Sequence, residues 1–491
     1  MKIKIFIVIF SLIVTGVFAK DDAIQAAKDI NMAVFFDAEK VHGTDYSSLL
    51  EEYRNRDNSV EKARLSLEQA NNTFNKTKIQ NGIDVNLSSG NITIPLTKEN
   101  SFFEANPSAE IDIPRLNNTV ISVDMPFAVG EGVTDFSGSG FDFSTDIISE
   151  FSANRKITLL NAQRALENSQ RNYEKTVRTV EKKFWQEVQE IYNAALSLWS
   201  AENTLHDEET DLIVLQSQGY SPASATYRSK QIKIQTAKNA IFECKQKLDA
   251  KLVLFAQNVG SDTLVIPIGI PSEDLCNYED FDKNSFITLE EANWHNTLTE
   301  MERDAKKQFT LAATGGYHFF ENRNALHPGK EHTVDVGVNA TYKGFNLGLG
   351  FSMPLNRMEK SGASLSLGWE MSKMFGEKYD FANADLQVDI SKITVKDAIS
   401  TYKTTLTERQ QKRNSLLAKI DMQIEQLKVF YDYMNESENW FKRGLITEKQ
   451  LLQARRDWQN AVASVVACRI EGIIYNLETA DYFLPQRGKV D

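Results

Sequence analysis

The sequence predicts an α+β membrane protein in which one unit, strands followed by a long helical hairpin, is used twice. Three observations carry the prediction. Glycine and proline are absent from two long stretches, each cut once by a short turn. Landmarks of the first half recur in the second at nearly constant spacing. Each half also holds segments in which apolar and small or polar residues alternate.

No Gly or Pro occurs from Phe141 to Gln218, Gly219-Tyr220-Ser221-Pro222 interrupts, and neither occurs again from Ala223 to Val259. The pattern returns from Glu377 to Arg443, is cut by Gly444-Leu445-Ile446-Thr447, and resumes to Glu471. Ordinary sequence carries about 12% Gly plus Pro, so these gaps read as long helices folded into hairpins, about 153–259 and about 380–477. Tyr173, Val177, Val180, Phe184, Val188, Ile191, Ala195 and Leu198 form a heptad-like seam on the first. Ile399, Tyr402, Leu406, Leu416, Ile420, Ile424, Leu427 and Phe430 do so on the second. At 1.5 Å per residue each long helix reaches about 100 Å, so it needs partner helices rather than one globular core. Each return helix covers half that length, and Tyr46–Gln80 and Leu289–Lys307 are the helices expected to continue the second column.

Four strand candidates precede each hairpin. In the second half they are Phe309–Phe319, Thr333–Tyr342, Phe345–Met353 and Ala363–Trp369, with a two-residue turn at Lys343-Gly344. The weaker counterparts are Ile83–Leu96, Ala109–Ile113, Thr119–Met125 and Gly140–Ile148. Met353-Pro354 follows Met125-Pro126 by 228 residues, and Gly444 follows Gly219 by 225. These spacings set the expected organisation: leader 1–19, first repeat 20–260 with strands about 83–148, connector 261–285, second repeat 286–484 with strands about 309–371, tail 485–491.

Met1-Lys2-Ile3-Lys4, the apolar run Ile5–Val14 and the small residues Val17 and Ala19 read as a secretory leader. No later segment is apolar enough to cross a bilayer as a helix, which leaves a closed β-barrel as the way to span one. Alternating strands with long polar loops suit such a barrel; the alternative is a soluble β-sandwich set between helices. Cys244, Cys276 and Cys468 show neither metal nor redox spacing. A formal charge of −12 disfavours nucleic acid as a partner. His42, His206, His295, His318, His327 and His332 form no HExxH and no zinc pattern with cysteine. With no phosphate-binding Gly-Lys-Ser/Thr loop and no Gly-x-Ser-x-Gly elbow, the expectation is a protein that is not an enzyme and needs no cofactor. Trp185, Trp199, Trp440 and Trp458 read as packing residues.

The order short helix, strands, long helix, tight turn and return helix resembles the outer membrane efflux family (TolC-like) from about Tyr46 to Leu484. Met125-Pro126-Phe127 and Met353-Pro354-Leu355 are similar to its strand-end pattern, and Gly444 with Leu451-Leu452-Gln453-Ala454 to its return-hairpin pattern. The resemblance implies a homotrimer whose three chains close one β-barrel in the outer membrane, continuous with a periplasmic α-helical barrel. It implies a passive duct for small-molecule efflux or protein secretion, docked through a periplasmic adaptor onto an inner-membrane transporter. It also implies that the hairpin tips close at rest. Those tips hold Gly219, Tyr220, Pro222 and Tyr227 on the first hairpin, and Arg443, Gly444, Leu445, Ile446 and Thr447 on the second. Two positions depart from the family. Its paired tip carboxylates fall at Gln450 and Gln453, with Glu448 the nearest acid, and its basic tip residue falls at Ile446, for which Arg443 is the substitute. The family uses two spanning strands per half, so the middle hairpin of each half is expected outside the membrane. A rival reading is a surface adhesin or structural stalk that conducts nothing.

Overall fold

A computed structural model of the protein describes residue 36 and residues 40–94, 103–130, 133–277, 281–307, 309–322 and 329–484. The expected leader, the tail and His327 lie outside them. Strand β1 (Val41–Asp45) leads into helices α1 (Tyr46–Arg56) and α2 (Asn58–Gln80). Then come β2 (Asp84–Ser88), β3 (Ile92–Thr93), β4 (Phe103–Ala105), β5 (Ser108–Ile113), β6 (Thr119–Asp124), β7 (Phe127–Gly130), β8 (Val133–Asp135) and β9 (Ser139–Ile148). Helices α3 (Glu150–Ser217) and α4 (Ala225–Val259) form the first hairpin, and β10 (Leu264–Ile268) follows. The second half is α5 (Ile287–Lys306), β11 (Thr310–Asn322), β12 (Gly329–Tyr342), β13 (Phe345–Pro354), β14 (Gly362–Trp369), α6 (Met371–Lys442) and α7 (Glu448–Ala480). No described helix is long and apolar enough to cross a membrane.

The chain forms two compact units. One comprises residues up to Lys62, Glu174–Ser285 and the chain from Thr404 onward; the other comprises Ala63–Tyr173 and Phe286–Lys403. In the first unit the predicted seam of α3 is the core. Val180, Phe184, Val188, Ile191 and Ala195 are buried against Leu248, Leu252, Phe255 and Val259 of α4 and Val466, Ile470 and Ile473 of α7. Tyr53 of α1 packs on Phe184 and Phe255. The rings of Phe184 and Trp185 meet edge to face at 5.2 Å, as the packing reading of Trp185 requires. Glu478 of α7 receives hydrogen bonds from Lys182 of α3 and from Arg409 and Lys412 of α6. Burial pushes its carboxyl up, but the three cations prevail and hold it at about 2.

In the second unit α5 is held to α3 by Arg164, whose guanidinium grips Glu290 at 2.8 and 2.6 Å. It is held to α6 by Ser391 Oγ donating to Asn296 at 2.7 Å. The strands form an antiparallel sheet of eight, in the order β14-β13-β12-β11-β9-β6-β5-β2. Both halves of the chain meet in it, because β9 pairs with β11. Helices enter and leave this sheet at one end, where β5–β6 and β12–β13 are joined by short turns. The second is Lys343-Gly344, with φ of 47° and 72°, the doubly left-handed turn that suits the twist of a hairpin.

Four expectations are corrected. Tyr46–Gln80 is two helices, because Asp57 is extended and its carboxylate accepts from Ser59 N at 2.7 Å. Helix α6 begins at Met371, ahead of the predicted start, and runs through Gly376, where an added Cβ would meet nothing within 4 Å. The strand expected over Ile83–Leu96 splits: β2 joins the eight-stranded sheet, while β3 joins a sheet of four with β4, β7 and β8. The connector 261–285 holds β10, which pairs in parallel with β1. The middle hairpin of the second half pairs within the sheet, in unbroken register with β11 and β14. Its alternation matches that of its neighbours, so pairing satisfies its backbone groups and keeps its apolar side chains on the shared face.

Candidate functional site

The eight-stranded sheet has two faces of opposite character. Register carries one apolar row from Leu367 through Leu347 and Ala340 to Leu311, and the next from Leu365 through Leu349 and Val338 to Ala313. A third runs from Ala363 through Phe351, Val336, Gly315, Phe143 and Ile121 to Ile111 and Val85. Among the described residues nothing covers this face: Val336 is 54% exposed, Leu365 62% and Leu367 65%. Tyr342, Phe345 and Trp369 lie at the helix end of the same face, and Tyr317, Phe319 and Phe141 toward the other.

The opposite face is mostly glycine, serine, asparagine, threonine and carboxylate, with Val120, Ala312, His318 and Phe320 among them. One row reads Asn86, Glu110, Ser122, Asp142, Gly316, Asp335 and Ser352 across seven strands. Above Gly316, His318 places Nε2 3.3 Å from Asp142 Oδ1 and 3.7 Å from Asp335 Oδ2. A Cβ at Gly316 would come within 2.6 Å of Asp142 Oδ1 and 2.9 Å of His318 Nε2, so only glycine leaves the three side chains room to converge.

The hairpin tips are built alike. Gly219 has φ of 81°; its amide donates to Gln216 O at 3.0 Å and that of Tyr220 to Leu215 O at 3.1 Å. Gly444 has φ of 72°; its amide donates to Phe441 O at 2.9 Å and that of Leu445 to Trp440 O at 2.9 Å. Both are left-handed glycine caps closed by the same pair of hydrogen bonds. Pro222, Arg443 and Leu445 are exposed, as is Tyr220, while Ile446 is half-buried. Tyr227 is buried, and its hydroxyl accepts from Gln216 Nε2 at 2.7 Å.

Thr447 caps α7 through a capping box. Its Oγ1 accepts from Gln450 N at 3.3 Å, and Gln450 Oε1 accepts from Thr447 N at 2.9 Å. The Gln450 amide oxygen is therefore committed to its own helix, and Gln453 Nε2 donates to Asp457 at 2.9 Å. Glu448 is exposed in the first turn, where the helix dipole favours an acid. Among the described residues no hydrogen bond or ion pair joins Tyr220 or Tyr227 to Glu448, Gln450 or Gln453.

Near the tips the two hairpins are tied by a set of ion pairs that sequence reasoning missed. Lys449 reaches Asp211 at 2.9 Å, and Arg456 reaches Asp207 at 2.7 Å. Lys230 shares Asp211 at 2.9 Å and meets Glu208 at 2.5 Å. Hydrogen bonds from Lys230 and Lys449 hold the Asp211 carboxyl below its usual range. Asp207 and Asp211 lie one turn apart on α3, and Lys449 and Arg456 two turns apart on α7, so each pair shares a face. That spacing was visible in the sequence; their pairing across more than 200 residues was not. Within the chain these contacts are made by Lys449 and Arg456, while Arg443 is exposed. No group of His, Cys, Asp and Glu among the described residues is placed to hold a metal ion.

A duplicated α+β chain, with one sheet assembled from both halves and a capped hairpin from each, is the class these features define. Residues 49–265 match the TP096X N-terminal domain and residues 271–486 the TP096X C-terminal domain. Together they span most of the chain, which belongs to the TP096X family. An uncharacterized protein of Treponema pallidum (strain Nichols) is 17% identical over 438 residues, covering 86% of this chain and 78% of that one. Among solved structures, CusC is 12% identical, with coverage of 92% of this chain and 96% of that chain and a TM-score of 0.47. The outer membrane protein VceC of Vibrio cholerae is 10% identical, with coverage of 88% and 94% and a TM-score of 0.44. At these TM-scores the likenesses carry no argument about activity.

Proposed function

We propose that this protein is the outer membrane duct of an export system, a homotrimer in which three copies of the eight-stranded sheet close one barrel and the helical hairpins form a periplasmic tube. The observation that supports it is the two-faced sheet. An exposed apolar face, with aromatics toward both ends and a polar face opposite, is what a barrel wall between lipid and water requires. Strands β9, β11, β12 and β13 have 10 or more residues, enough for a tilted crossing, which takes about 9–11. A soluble sandwich would bury the apolar face on a second layer.

Eight strands in each of three copies give 24, twice what the family resemblance implies. An even number per copy lets β14 of one copy meet β2 of the next antiparallel, so strand direction alternates around the whole ring. The strand-joining turns at the helix end are short and would face the periplasm; the longer connections would face outward. Transport would be passive, with an inner-membrane transporter and a periplasmic adaptor as partners.

The hairpin tips would form the closable end. The tip site comprises Gly219, Tyr220, Pro222, Tyr227, Arg443, Gly444, Leu445, Ile446, Thr447, Glu448, Gln450 and Gln453, with the Lys449–Asp211–Lys230 tie as an addition. Opening would be a repacking of hairpins biased by partner binding. The test is conductance of the purified protein in planar bilayers, with its mass measured in detergent. Discrete channels from a species of three copies are expected; a monomer that conducts nothing overturns the reading and leaves the stalk.

A further inference from the structure

A duct must discriminate among what it conducts, and the polar face of the sheet is charged with one sign. Asp84, Glu110, Asp112, Asp124, Asp142, Asp146, Glu331 and Asp335 all lie on it, while among the described strand residues no Lys or Arg does. Composition does not account for this, since the whole chain has 55 Lys and Arg against 67 Asp and Glu. Near the tips, by contrast, Asp207, Glu208, Asp211 and Glu438 each carry a Lys or Arg partner, which leaves Glu448 as the exposed acid of the second tip. Gln450 and Gln453 are occupied within their own helix.

We infer that the duct prefers cations, and that the preference resides in the barrel wall, in the row Glu110, Asp142 and Asp335, rather than at the tips. The inference rests on the duct reading above. All three are open to water: Glu110 is exposed, and the side chains of Asp142 and Asp335 are 47% and 42% exposed. Neighbours in the row stand two strands apart, about 10 Å. That is about one Debye length at 0.1 M salt, so their fields merge into a continuous negative band. A wall of low dielectric focuses that band into the lumen. Anions are repelled at this level, while small inorganic cations and cationic solutes are concentrated there. His318 lies between two of the acids, 3.3 Å from Asp142 and 3.7 Å from Asp335.

The experiment is the reversal potential of single channels of the full protein in a KCl gradient. K⁺ is expected to outrun Cl⁻. The variant Glu110→Gln/Asp142→Asn/Asp335→Asn is expected to lower the K⁺ to Cl⁻ permeability ratio at least about threefold. The unsubstituted channel gives a second arm, needed if that variant does not assemble. Its ratio should fall toward unity between about 0.1 M and about 1 M salt, as the Debye length shrinks from about 10 Å to about 3 Å. A ratio near unity at low salt, a ratio independent of salt, or a conducting triple variant with unchanged selectivity overturns the inference while leaving the duct intact. Failure to form any channel overturns the duct reading itself and this inference with it.

Discussion

At Gly219 and Gly444 the backbone is left-handed and an added Cβ would meet nothing within 4 Å, so the cost of substitution is conformational rather than steric. Gly444→Ala should destabilise the second tip by about 1–2 kcal/mol. Hydrogen exchange at the amides of Leu445 to Leu451 measures it, and unchanged protection there would contradict the cap assignment. Glu478 predicts a pH dependence. Its carboxyl sits at about 2 in the fold against an ordinary 4.5, so it stabilises the fold at neutral pH and loses that contribution as pH falls from about 4.5 through about 2. Glu478→Gln should lower stability at neutral pH and flatten the acid limb over that window in thermal melts; an unchanged limb sinks the assignment. Local signals of this kind were partly legible. Both glycines announced their turns, and the Thr-x-x-Gln spacing of the capping box was present though unread. The Lys449–Asp211 and Glu478 contacts were not legible, because they join residues distant in sequence that only the packed helices bring together.

Strands and helices were legible wherever one period ran uninterrupted. The seam of α3, the turn Lys343-Gly344 and the four strands of the second half stood out because alternation or heptad spacing continued for many residues. The first half failed where Ser88 to Gly90 diverts the chain from one sheet to another, since both sides of that break are extended and alternate polar with apolar residues. Gly376 misled because a single glycine in an exposed helical turn costs only about 1 kcal/mol against alanine. The faces of β12 give the prediction at this scale. Val338→Arg puts a charge on the apolar face and should lower stability by about 2–4 kcal/mol if that residue is near mid-bilayer. Asn339→Arg, one residue on, should cost far less. Urea refolding into lipid vesicles compares them, and equal costs would mean that both faces meet the same solvent.

The whole molecule leaves surfaces that one copy does not cover. Met422, Val429, Tyr433 and Trp440 of α6 are exposed at spacings of seven, four and seven, a single helical face. Among the described residues both edge strands, β2 and β14, have an unpaired side. An open sheet with two bare edges invites pairing with another chain, and a second copy offers the complementary edge. Single cysteines along β2 should therefore cross-link to one on β14 of another copy, yielding species of up to three chains; cross-links confined within one chain would contradict closure by neighbours. The central claim is that β12 separates lipid from water, and period-two labelling tests it most directly. Cysteines placed singly from Thr333 to Thr341, in protein reconstituted into vesicles, would carry an environment-sensitive fluorophore. Val334, Val336, Val338 and Ala340 should be quenched by a lipid-phase quencher, and Thr333, Asp335, Gly337, Asn339 and Thr341 by an aqueous one. Aqueous quenching of equal strength at every position would contradict the account.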